Sequence, residues 1–187
     1  MKKKAKRVIL HWTAGTYIPN EHEKECYHFL IDNCGEIFKG KHKVSDNFDC
    51  SDGNYAAHTG GGNTGSIGIA VCGMFGFKGR GNLGKYQLSK VQIERLCLFT
   101  AWICNEYKLN ITPQTVQTHY EFGLDHPKTS SSGKIDLTYL YPYEWIRDKD
   151  IGCYLRSKIK WYYTHLLDYS DETIDFIKYL DWDTMGY

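Results

Sequence analysis

The stretch "VILHWTAG", residues 8–15, decides the fold prediction. Its apolar start is typical of a buried strand, which we place at residues 7–12. The apolar run stops at His11, and the chain then turns away towards Gly15. A histidine near the end of a buried strand lies at the rim of a sheet, where its imidazole can hold a ligand. The remaining sequence must show which side chains could join it.

Length, composition and charge favour one globular domain. The 187 residues are 42% hydrophobic and 15% aromatic, which is enough to bury a core. Because 23 Lys and Arg residues face 22 Asp and Glu residues, the net charge of +1 gives no general attraction to nucleic acid or membranes. The basic residues at positions 2–7 favour a solubilising end, with weak steering towards an anionic polymer as the alternative. We expect a monomer without a nucleic-acid partner.

The sequence predicts neither export nor membrane insertion. The apolar run Val8–Leu10 is far shorter than the roughly 7–15 residues of a signal-peptide core. No stretch approaches the about 18 apolar residues that span a membrane. We therefore expect cytoplasmic synthesis without a signal peptide. The seven cysteines contain no CxxC pair, which disfavours a zinc ribbon, and Cys72, Cys97 and Cys104 are predicted to be buried thiols.

Strand patterns alternate with helical patterns along the chain. We predict strands at 7–12, Tyr27–Asp32, Glu36–Lys39, Ser66–Phe75 and Val116–His119, and helices from a Ser89 cap to Tyr107 and over Tyr154–Leu167. Residues 40–65 and 120–137 are predicted to be long loops, and residues 16–25 a loop or a one-turn helix. These elements predict an α/β fold in a single domain, with a mixed central β-sheet flanked by helices.

Two further side chains could join His11. His119 ends a predicted strand, and Asp136 lies in the loop that follows it, two residues after Lys134. Two imidazoles and one carboxylate match the three protein ligands of a catalytic zinc site, which leaves a fourth position open. On spacing alone these residues are more often ordinary loop residues, because eight histidines and many acids always supply some such triple.

Four motifs together carry a more specific signal, and they occur in one order. These are "VILHWTAG", "YHFLIDNCGEIFKG", "AAHTGGGNTGSIGIAVCG", and "QTHYEFG" followed by "KID". In this combination the chain resembles the zinc-dependent N-acetylmuramoyl-L-alanine amidases, a family with phage endolysins, wall-recycling amidases and peptidoglycan recognition proteins. The resemblance covers about residues 7–140.

The resemblance implies a zinc ion and a set of site residues. It matches the metal ligands to His11, His119 and Asp136, the catalytic residues to Lys134 and Tyr27, and substrate-binding residues to His58, Thr59 and Asn63. Strand alternation puts Tyr27 and His28 on opposite faces, so we predict a structural role for His28. His126 is close enough in sequence to be a substitute ligand. The chain departs from the family at Leu137, where a proline is usual.

The implied reaction is zinc-dependent hydrolysis of the amide between N-acetylmuramic acid and L-alanine in peptidoglycan or a soluble muropeptide. The Tyr27 match and the basic start favour an endolysin, which reaches the wall after release, over a cytoplasmic recycling enzyme. The alternative from another class is a non-catalytic peptidoglycan-binding module, and Asp136 discriminates between them. Residues 141–187 are predicted to be a helical extension packed on a domain that spans 1–187, and packing is favoured over sugar binding for its aromatic side chains.

Overall fold

A five-stranded sheet forms the centre of the computed structural model, which describes residues 4–166. The strands are β1 (Arg7–Trp12), β2 (Phe29–Ile31), β3 (Ile37–Lys39), β4 (Ser66–Val71) and β5 (Val116–Thr118). Their order across the sheet is β3-β2-β4-β1-β5. Only β3, at one edge, runs antiparallel to its neighbour, so the predicted mixed sheet is confirmed.

The two central strands are buried over most or all of their length. All six residues of β4 are buried, as its nearly continuous run of small apolar side chains predicts for a strand covered on both faces. β1 lies between β4 and β5 and is parallel to both. Because parallel strands end at one edge, His11 near the end of β1 and the residue that follows β5 are brought together there.

Residues 4–166 also contain four α-helices. They are α1 (Glu21–Cys26), α2 (Lys90–Glu106), α3 (His119–Asp125) and α4 (Ile151–Thr164). Ser89 caps α2 as predicted, with its hydroxyl accepting the Gln92 N–H. The α2 side chains pack on the sheet, where the rings of Phe99 and Phe29 lie 4.9 Å apart. Cys72, Cys97 and Cys104 are buried free thiols, as predicted.

Several predicted boundaries are wrong. The strand predicted over Val116–His119 ends at Thr118, and His119 opens α3 where a loop was predicted. The cause is a capping box, in which Thr118 and Glu121 each accept a backbone N–H from the other. The strand predicted over Ser66–Phe75 ends at Val71.

The other boundary changes are smaller. Strand β2 is shorter than Tyr27–Asp32, and β3 begins one residue after Glu36. Residues 16–25 contain a helix that runs to Cys26, capped by Asn20. The loop predicted over 40–65 contains two 3-10 turns, Val44–Phe48 and Cys50–Asp52.

The C-terminal helix packs on the domain through one side only. Ile151, Leu155 and Ile159 of α4 are buried in the core, and the helix begins three residues before the predicted start. Trp145 and Trp161 do not pack as predicted, because 74% and 53% of their surfaces are exposed. The helix ends at Thr164, before the predicted end at Leu167, and the predictions for Tyr169 and Trp182 lie outside the described residues. No helix among residues 4–166 combines the length and apolarity needed to cross a bilayer.

Candidate metal centre

Three ligand-type side chains meet at the edge where β1 and β5 end. His11, His119 and Asp136 place their ligand atoms within 4.8 Å of one another, and they are the one such group of three in residues 4–166. Asp136 Oδ2 lies 3.1 Å from His11 Nδ1 and 3.2 Å from His119 Nδ1. Ligands bound at about 2.1 Å around a tetrahedral zinc ion lie about 3.4 Å apart, so the spacing fits such an ion.

The second nitrogen of His119 is held by a serine. His119 Nε2 lies 2.9 Å from Ser131 Oγ, and Ser131 Oγ donates its own proton to the Gly60 carbonyl at 2.8 Å. Since the serine proton is used, the hydroxyl oxygen accepts from His119 Nε2–H. When Nε2 carries the only proton of the ring, the lone pair of Nδ1 faces Asp136.

His11 presents its Nδ1 atom in the same way. Its Nε2 atom lies 3.1 Å from His58 Nδ1, and its Nδ1 atom faces Asp136. Burial is the largest cause that lowers the pKa of His11 to about 4, so the ring is neutral at neutral pH. With its proton on Nε2, His11 would direct a second lone pair at the same carboxylate.

The donor set suits a cation. Burial alone would raise the pKa of Asp136, but hydrogen bonds from the two imidazoles hold that pKa well below its usual range, and the carboxylate is ionised. Those bonds need a proton on each Nδ1 atom. When both rings turn lone pairs to the carboxylate instead, the three atoms repel one another unless a cation lies between them. The ligand types, nitrogen and carboxylate oxygen, are those that zinc accepts.

Both predicted catalytic residues lie near His11. The ring centroid of Tyr27 is 5.1 Å from that of His11, and burial raises the pKa of the Tyr27 phenol, so it keeps its proton. Lys134 is exposed, and its positive charge is near enough to add to the lowering of the His11 pKa.

The predicted substrate-binding residues make contacts inside the protein. His58 is 6% exposed and Thr59 is completely buried. Asn63 accepts the Thr59 N–H at 2.7 Å and so closes the loop on itself. A role for these residues in binding substrate stays a prediction, and their contacts here are with His11 and with the loop backbone.

His28 and His126 lie outside the group of three. The His28 ring is bound by Asn47 Oδ1 at 3.0 Å and by the Gly68 N–H at 2.9 Å, contacts that hold the loop against the sheet. The alternation argument does not apply to it, because β2 begins only at Phe29. The His126 ring stacks on Phe122 with a centroid distance of 4.0 Å.

Sequence reasoning missed two features of the centre. Ser131 lies in a run of three serines that offered no reason to choose one of them. Leu137, next to Asp136, adopts a left-handed backbone conformation with φ of 60°. A proline fixes φ near −65°, so the proline usual in the resembling family is incompatible with this conformation.

The sequence model of the N-acetylmuramoyl-L-alanine amidase family matches residues 1–136. The chain belongs to this family. It is therefore a member of an amidase-type family of peptidoglycan hydrolases that also contains peptidoglycan recognition proteins. None of the curated proteins compared with this amidase-family chain gives a match.

The chain is similar to several solved structures. Hydrolase AmiA from Staphylococcus aureus, in complex with its ligand, is 14% identical with a TM-score of 0.54, over 89% of this chain and 76% of AmiA. The amidase LysC from Clostridium intestinale is 18% identical with a TM-score of 0.44, over 62% of this chain and 70% of LysC. Drosophila peptidoglycan recognition protein SD is 17% identical with a TM-score of 0.45, over 70% and 76% of the two chains.

Proposed function

We propose that the protein is a zinc-dependent N-acetylmuramoyl-L-alanine amidase that cuts the amide between the lactyl group of muramic acid and L-alanine. The observation that carries this proposal is the convergence of His11, His119 and Asp136, whose ligand atoms lie within 4.8 Å of one another. Membership of the amidase family supports the choice of bond. Bound zinc would supply Lewis-acid polarisation of the scissile carbonyl and activation of water.

The chain's own side chains would assist at the reacting carbonyl. Lys134 lies on the exposed segment that leads to Asp136, where its ammonium group would stabilise negative charge that develops on the carbonyl oxygen. Tyr27 keeps its proton, so its hydroxyl would donate a hydrogen bond to that oxygen or orient the attacking water. The neutral His11 ring and the ionised Asp136 would hold the ion without needing to lose protons at neutral pH.

Within the family, we propose the role of a phage-type endolysin that acts on the wall after release. A tyrosine at position 27 and the basic residues 2–7 support this role over that of a recycling enzyme. An endolysin cleaves polymeric wall, whereas a recycling enzyme prefers small muropeptides. Comparing the rates on intact sacculi and on soluble muropeptides tests this choice.

The test of the main proposal is digestion of purified sacculi with and without a metal chelator. We expect new L-alanine amino termini that disappear with the chelator and return when zinc is added. Asp136→Asn, which keeps the shape of the side chain but removes its charge, should release none. Cleavage that survives both the chelator and D136N would refute the proposal, and binding of sacculi without cleavage would identify the non-catalytic module instead.

A further inference from the structure

Three imidazoles form a buried row behind the candidate metal centre. The ring centroids of His11 and His58 are 5.2 Å apart, and those of His58 and His28 are 5.5 Å apart. All three rings are buried, and His58 is the middle one. It therefore touches the ligand-type residue His11 from the side opposite Asp136.

A backbone carbonyl fixes which nitrogen of His58 carries the proton. His58 Nε2 lies 3.4 Å from the Ser66 carbonyl oxygen, which can only accept a hydrogen bond. The ring is buried, and its hydrogen-bond contacts are with His11, Thr59 and Ser66, none of which is an acid, so a neutral ring has one proton to place. With that proton on Nε2, the Nδ1 atom of His58 is an acceptor.

The Nδ1 atom of His58 faces His11 Nε2 at 3.1 Å. An acceptor at this distance selects the form of His11 that carries its proton on Nε2. The Thr59 hydroxyl lies 2.7 Å from His58 Nδ1 and 3.4 Å from His11 Nε2. A hydroxyl that donates to His58 Nδ1 shares the single lone pair of that atom with His11 Nε2–H, and its own oxygen is a second acceptor for the same His11 proton.

The His58 ring packs against Gly68 of β4, a residue without a side chain. A Cβ atom at Gly68 would lie 2.5 to 2.8 Å from three atoms of the ring, closer than real contacts allow. The ring thus packs directly on the strand backbone and cannot shift towards it. Rigid packing of this kind is what a residue needs if it is to orient another one.

We propose that His58 is a positioning residue that accepts the Nε2 proton of His11 and so keeps His11 Nδ1 free to bind the metal. The inference rests on the proposed function, since it concerns the same metal centre. It gives His58 a role behind the ligand, where it is 6% exposed, rather than in contact with substrate. Partners of this type commonly determine metal affinity.

Two variants distinguish the effect of losing the hydrogen-bond acceptor from the effect of losing the volume of the ring. His58→Asn places an amide oxygen near the position of Nδ1, whereas His58→Phe fills the space without an acceptor. We expect H58F to weaken zinc affinity by roughly 10–100-fold, as other losses of such partners do, and H58N to stay within a few-fold of wild type. His22→Asn, at an exposed histidine on α1, is the control for loss of any imidazole and should leave affinity unchanged.

Affinity is measured by competition with a chromophoric chelator, and the fold by far-ultraviolet circular dichroism. Nitrogen NMR of the metal-free wild-type protein gives the protonated nitrogen of His11 without any substitution, which covers the case of H58F failing to fold. We expect the proton on Nε2. Equal zinc affinity of H58F and wild type, or a proton on His11 Nδ1, would overturn the inference while leaving the proposed function intact. Absence of zinc binding by the wild type would overturn both.

Discussion

Arg156 of α4 binds Glu121 of α3 through two parallel hydrogen bonds. Its Nη1 atom lies 2.8 Å from Oε2 and its Nη2 atom lies 2.9 Å from Oε1. The side chains are only 11% and 20% exposed, so water screens the pair weakly. Because Glu121 also caps the helix that begins at His119, this pair fastens the C-terminal helix to the element that carries a candidate metal ligand.

We expect Arg156→Met to destabilise the fold by about 3 kcal/mol, because it leaves the Glu121 carboxylate largely buried without its partner. Urea unfolding measures the loss. The control is Arg147→Met, whose partner Asp150 is exposed together with it, and which should cost less than about 0.5 kcal/mol. Equal losses of stability in the two variants would show that the buried ion pair stabilises the fold no more than the exposed pair does.

Lys134→Ala is expected to lower kcat by about 100-fold with little change in KM, because the ammonium group is proposed to act on charge that develops only in the transition state. The matched control is Lys128→Ala, an exposed lysine in the segment between His119 and Asp136. Rates on a soluble muropeptide give both constants. A rise in KM at constant kcat would instead indicate a substrate-binding lysine.

Glu94 should make stability depend on pH in the acid range. Burial raises the pKa of Glu94, but hydrogen bonds from Lys158, Tyr162 and Tyr143 outweigh it and leave the pKa below the ordinary value. A carboxyl group with a lowered pKa in the folded state stabilises the fold above its unfolded pKa of about 4.3, and this stabilisation disappears as the pH falls through the folded value.

We therefore expect Glu94→Gln to be about 1–2 kcal/mol less stable than wild type at pH 7, with the difference shrinking towards pH 3. Urea unfolding of both proteins at the two pH values measures it. Because both proteins lose other acid-sensitive contacts equally, only the difference between them is diagnostic. If the stability difference between the two proteins did not change with pH, this would contradict the lowered pKa of Glu94.

Leu137→Pro is expected to abolish zinc binding, because a proline cannot adopt the φ of 60° that directs the chain away after Asp136. Leu137→Ala is the matched variant. It should cost about 2–4 kcal/mol of stability for the lost core packing, yet retain zinc affinity, since alanine keeps the backbone conformation open. Retained zinc binding by L137P would show that the backbone at residue 137 does not place the carboxylate.

The sequence predicted the parts of the fold that have a long or continuous hydrophobic pattern. The bounds of β1 agree at both ends, and α2 lies where its Ser89 cap placed it. Short elements set by a local hydrogen-bond pair were missed, although "THYE" at 118–121 carries the capping-box signature of α3. Where a strand ends depends on the neighbouring strands with which it pairs. The residue pattern of one strand alone does not show those partners.

The candidate site also has parts that the sequence predicted and parts that it did not. His11, His119 and Asp136 could be selected because ordered motifs accompany them, and the structure brings their ligand atoms together. Which nitrogen each imidazole presents could not be predicted, because it depends on Ser131 and His58, which meet the two rings only in the folded chain.

Gly68 links the sheet to the proposed metal centre. It has no atoms that could bind, donate or accept through a side chain, yet the His58 ring occupies the volume that any larger residue would need. Branched side chains usually pack better in a middle strand. At this position, however, only glycine leaves room for the His58 ring. If His58 positions His11 as proposed, replacements of Gly68 should weaken metal affinity as well as strand stability.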